Sequence, residues 1–126
     1  MTQPPLIDHA VFDDLVATIG EAGGRAIVEL FIEESRNYLA AIAEAGAEPG
    51  DSARRERARR AAHSLKSGAG QLGAAAMAAA AAAVERAAGE NGAGLGNSVA
   101  ALQRCAGDTV AALGKLAAPS SGGSAG

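Results

Sequence analysis

The sequence predicts an all-α protein: an antiparallel up-down four-helix bundle with an additional short N-terminal helix. Three observations point there. Alanine is abundant while aromatic residues make up only 2%. Alanine is the strongest helix former, whereas strands favour β-branched and aromatic side chains. The larger apolar residues recur at spacings of three and four. Clusters of glycine and proline cut the chain into helix-length pieces joined by short loops, which favour antiparallel neighbours. The 126 residues and 48% hydrophobic content suit a single domain with its own core.

The elements follow in order. Pro4 and Pro5 favour extended backbone over residues 1–7. Asp8 is a suitable N-cap for a short helix to about Ile19, with Val11, Phe12, Leu15 and Ile19 at helical spacing. Gly20, Gly23 and Gly24 mark a break. A long helix from about Arg25 to Ala45 carries Val28, Phe31, Leu39 and Ile42, and Gly46, Pro49 and Gly50 end it. Asp51 or Ser52 caps the next helix, which Gly73 stops. Ala74 to about Ala88 follows, with Met77 and Val84 as its larger apolar residues. A glycine-rich loop precedes the last helix, capped by Asn97 or Ser98 and apolar at Val99, Leu102, Ala106, Val110 and Leu113. The bundle is expected over 8–117, and the Ser/Gly-rich stretch 118–126 is expected to be disordered.

Composition narrows the function classes. The formal net charge is −3, so the chain has no global basic character of the kind that marks nucleic-acid binding. A single cysteine, Cys105, allows no internal disulfide and suits a reducing cytoplasm. Residues 1–5 lack the basic-then-apolar order of a signal peptide. The longest apolar run, Ala74 to Val84, is shorter than the roughly 20 residues of a membrane span. Two histidines and one cysteine far apart form no metal-ligand spacing. No phosphate-binding Gly-Lys-Ser/Thr loop is present, so autonomous kinase or ATPase activity is not expected.

The third helix carries the chemistry. On a wheel of 100° per residue, Ala58, Ala61, Leu65, Ala69 and Leu72 share one side, and His63 lies opposite. Around it, one or two turns away, are Arg59, Arg60, Lys66, Ser67 and Gly70. An imidazole is thus displayed to solvent beside cations, which favour its neutral, nucleophilic form and would attract a phosphoryl group. Gly68 and Gly70 each cost about 1 kcal/mol relative to alanine inside a helix. At Gly70 the simplest return is clearance, since a position with no side chain lets another protein approach the ring.

Ala62-His63-Ser64-Leu65-Lys66-Ser67-Gly68-Ala69-Gly70-Gln71-Leu72-Gly73-Ala74 resembles the signature of histidine-containing phosphotransfer (HPt) domains. Phe31, Leu39 and the pair Val84-Glu85 match flanking positions of that family, and the similarity spans about Leu6 to Leu116. Ser67 departs from the pattern, standing where the family usually has glycine. The resemblance implies a phosphorelay intermediate. His63, through Nε2, would accept a phosphoryl group from a receiver-domain phospho-aspartate or a hybrid kinase and pass it to a response regulator. Lys66 would steady the phosphoryl oxygens, and Ser67 and Gln71 would hydrogen-bond nearby. Gly70 would leave room, while Arg59, Arg60, Tyr38 and Leu30 would contribute to docking. The implied partners are response-regulator receiver domains and a sensor histidine kinase, with Mg²⁺ in the receiver and no cofactor in this chain. A cytoplasmic monomer that uses neither nucleic acid nor membrane is expected.

Two other readings stand beside this one. A helical adaptor of the same fold would bind signalling partners without using His63. A small DNA-associated protein would use the run Arg54, Arg55, Arg57, Arg59 and Arg60, but Glu56 interrupts that run and aromatic residues for base stacking are scarce. His9 reads as a surface residue, and Met77 and Cys105 read as core.

Overall fold

A computed structural model describes residues 3–118. Within them the protein is all-helical, with four helices and no strand: α1 (His9–Ala47), α2 (Ser52–Leu72), α3 (Ala75–Glu90) and α4 (Leu95–Ala117). Each helix packs on the next, and α4 closes the ring against α1. Phe31 lies by Gly68 while Tyr38 and Ala41 lie by Ala61 and Arg57, so α1 and α2 run antiparallel.

The N-terminal helix expected before Gly20 meets the long helix across a kink at Gly20, with no loop between them, and the range His9–Ala47 of α1 covers both. Only Gly20 leaves helical geometry, at φ 83° and ψ 167°, and helix resumes at once. Such a positive φ is open to glycine at little cost, so one residue absorbs the change of direction. Gly23 and Gly24, expected to prolong the break, stay helical. A Cβ at Gly23 would lie 3.2 Å from Ile19, and one at Gly24 would lie 3.1 Å from Val16. These glycines let side chains of the first part close down on the second.

Caps account for the other boundaries. The Asp8 carboxylate accepts from the backbone N–H of Ala10 and Val11, and Asp51 accepts from those of Ala53 and Arg54, which satisfies donors left over in a first helical turn. Gly73 ends α2 in the left-handed conformation. Its carbonyl accepts from the Asp8 N–H at 2.6 Å, tying the start of α1 to the α2–α3 turn. The last helix begins at Leu95, with Gly94 as its cap, rather than after Asn97 or Ser98. Leu95 is fully buried, and seating it in the core carries the cap from Asn97 or Ser98 back to Gly94, three or four residues earlier than polar capping residues alone suggest.

The core is built from Val28, Ile42, Leu65, Leu72, Met77, Val84, Leu102 and Leu113, with alanines between them. Ala58, Ala62, Ala69 and Ala81 are completely buried. Ala62 joins the expected apolar face because α2 is covered on two sides, by α1 and α3. Cys105 is only partly buried, its thiol 3.7 Å from the Thr109 hydroxyl. Ser/Gly-rich residues 119–126 lie outside the described residues. Among the described residues no helix is long and apolar enough to cross a membrane, and no cluster of His, Cys, Asp and Glu could hold a metal ion.

Candidate functional site

Burying Leu65, Ala69 and Leu72 fixes the rotation of α2 and turns His63 outward, its side chain 59% exposed. The ring does not stand alone. Its Nδ1 lies 2.9 Å from Oε2 of Glu85, which projects from α3. The other carboxylate oxygen, Oε1, accepts from Lys66 Nζ at 2.8 Å. One carboxylate thus holds both the imidazole and the lysine one turn beyond it. The Lys66 hydrogen bond, followed by the one from His63, keeps the Glu85 carboxyl below its ordinary value against partial desolvation.

The pairing fixes the chemistry of the ring. An ionised carboxylate accepts only, so Nδ1 carries the proton and donates it. In the neutral imidazole the lone pair then resides on Nε2. The helix alone suggests a purely cationic setting for His63, and the structure corrects this by adding a carboxylate from the neighbouring helix. Glu85 was legible only as part of the Val84-Glu85 pair. Its spacing from Met77, Ala81 and Val84 on α3 gives no sign that it faces position 63.

The other predicted residues divide into groups. Gly70 is exposed, and a Cβ added there would meet nothing within 4 Å. Gly68 differs, because a Cβ there would lie 3.1 Å from the Phe31 ring. It is therefore a packing position where α1 crosses close to α2. Ser67 and Gln71 are exposed on the same side of α2 as His63, while the ring's own hydrogen bond goes to Glu85. Arg59 turns back onto Glu56 through two hydrogen bonds of 2.9 and 2.6 Å. Arg60 lies 3.9 Å from the same carboxylate. Glu56 consequently offsets part of the charge that α2 was expected to present at His63. Leu30 is 53% exposed on α1, and Tyr38 is half-buried beside Arg57 and Arg60.

Chemically, the site offers an outward nucleophilic nitrogen, a carboxylate behind the ring, an ammonium beside it and bare backbone one turn along. Comparison with protein families matches the Hpt domain model to residues 26–116, about three quarters of the chain. Searches of curated proteins and of solved structures gave no match. The matched span begins just after the glycines that follow Gly20 and takes in all of α2, α3 and the site. The chain belongs to the Hpt domain family, whose members carry out histidine phosphotransfer in two-component phosphorelays.

Proposed function

We propose that the protein is a phosphorelay intermediate whose phosphoacceptor is His63 Nε2. The observation that carries this reading is the His63–Glu85 hydrogen bond, which leaves the lone pair on the nitrogen facing solvent. In the forward step that lone pair attacks the phosphorus of a receiver's aspartyl phosphate. A P–N bond forms, the P–O bond to the aspartate breaks, and its electron pair leaves with the aspartate carboxylate. The phosphorylated ring carries positive charge while Nδ1 keeps its proton, and the Glu85 carboxylate stabilises it there. No base need remove a proton first. The reverse sequence charges a second receiver.

Lys66 stands within one turn of Nε2 and can steady phosphoryl oxygens through its ammonium. Ser67 and Gln71, exposed on the same side, would supply weaker hydrogen bonds. Gly70 leaves the approach open. Such transfer depends on positioning and charge stabilisation. The receiver supplies Mg²⁺, and a sensor histidine kinase supplies the phosphoryl group upstream. The lone cysteine suits a reducing compartment such as the cytoplasm.

The test is transfer from a radiolabelled phospho-receiver. The wild-type protein should take up label within seconds to minutes, and His63→Gln should take up none while keeping its helical circular-dichroism spectrum. Equal labelling of the variant would reject the assignment and leave the adaptor reading in its place.

A further inference from the structure

We propose that Glu56 is a positioning residue for the phosphoacceptor: by holding Arg59 it keeps that guanidinium off the Glu85 carboxylate, which stays free to orient His63. This rests on the phosphorelay reading above and adds to it a residue that has no hydrogen bond to the ring itself.

Arg59, His63 and Lys66 fall at i−4, i and i+3 and so form one row on α2. The carboxylate that α3 brings to this row is Glu85. Its Oε2 lies 2.9 Å from His63 Nδ1 and its Oε1 accepts from Lys66 at 2.8 Å, so both oxygens are engaged. Arg59 reaches toward the same place. Its Cδ lies 3.5 Å from where a Cβ on Gly89 would stand, so its stem rests on α3 one turn beyond Glu85. Arg59 is held above its ordinary value first by the hydrogen bonds and charge of Glu56, and also by the charge of Glu85. Yet among the described residues Arg59 makes no ion pair with Glu85. Its Nε and Nη2 donate to the two oxygens of Glu56 instead, at 2.9 and 2.6 Å.

The pairing is therefore one cation to one carboxylate, Lys66 with Glu85 and Arg59 with Glu56. A guanidinium fork matches both oxygens of a carboxylate at once. Released from Glu56, Arg59 would compete for the same two oxygens that His63 and Lys66 use. Its stem already lies against α3, so only the end of the side chain has to turn. Whenever Arg59 takes Glu85, Nδ1 loses its acceptor, and the proton is free to move between the ring nitrogens. Ion pairs between exposed side chains shift equilibria by up to about 5-fold, so Arg59 would occupy Glu85 part of the time and not permanently.

The test reads the ring directly, through ¹⁵N chemical shifts of His63 in the wild type, Glu56→Ala, Glu56→Ala/Arg59→Met and Glu85→Ala. Alanine suits an exposed helical position, and methionine keeps a stem against α3 without the charge. The Glu56→Ala shifts should move from the wild-type values toward those of Glu85→Ala, and the double variant should return them to wild type. Labelling of His63 by phosphoramidate, a small donor that needs no docking surface, should slow about 2- to 5-fold in Glu56→Ala. Wild-type shifts or an unchanged labelling rate in Glu56→Ala overturn the proposal. So do shifts that stay displaced in the double variant, because the effect would then not pass through Arg59. Failure of the wild type to accept label from phosphoramidate and from every receiver rejects the phosphorelay reading, while the shifts still decide whether Glu56 governs the ring.

Discussion

At His63 the outcome turns on which nitrogen holds the proton, and Glu85 decides it. Removing the carboxylate frees the ring to exchange tautomers and deprives the phosphorylated ring of its counter-charge. Hydrogen bonds to charged groups are worth about 1.5–3 kcal/mol. Glu85→Ala should accordingly slow transfer by about 10-fold or more, and Glu85→Gln, which can still accept from Nδ1, should recover part of the loss. ¹⁵N chemical shifts of His63 distinguish this from a structural defect, since the ring should move toward a mixture of tautomers in Glu85→Ala alone. A second outcome belongs to Gly70. Gly70→Gln should fold normally and transfer poorly, because its side chain would stand in space that is now open beside the ring. An undiminished transfer rate would show that clearance at this position is immaterial.

Helix α2 shows how two glycines of one element come to differ. Both read from sequence as interruptions of a good helix, and only the distance to the neighbouring helix separates them. Gly70→Ala should raise stability by about 0.5–1 kcal/mol, the usual helix gain. Gly68→Ala should gain less, because the Phe31 ring, 3.1 Å from the new methyl, has to give way. Chemical denaturation of the two variants measures the difference. The course of α1 has a related explanation. Three nearby glycines look alike in sequence, but only Gly20 carries a positive φ and kinks the chain, while Gly23 and Gly24 stay helical and allow close approach of Ile19 and Val16 across the kink. Periodicity and caps placed α2 and α3 almost to the residue because Asp51 and Gly73 act through local hydrogen bonds. The start of α4 was less legible, since it depends on Leu95 entering a core assembled from the other helices.

For the whole molecule, paired carboxylates within α2 and between α2 and α3 shape the pH response. Glu85, held by Lys66 and His63, has its carboxyl below the ordinary value of 4.5, and Glu56 is lowered in the same direction by its Arg59 hydrogen bonds. A depressed folded-state value means that stability is present in full above about pH 4.5. It declines as pH falls through the lower folded-state range. Thermal unfolding followed from about pH 7 down to about pH 3 should therefore show a shallower decline for Glu85→Gln than for the wild type. His63 and Lys66 could be read from one helix and its spacing. Glu85 lies 22 residues from His63 on another element, so its role emerges only when the bundle closes.

The central claim concerns one atom, and ³¹P–¹⁵N NMR of the phosphorylated, ¹⁵N-labelled protein addresses it directly. The account predicts a single phosphohistidine, at His63, with phosphorus coupled to Nε2 and a proton retained on Nδ1. Phosphorus on Nδ1 of that ring, or on His9, the other histidine of the chain, would contradict it.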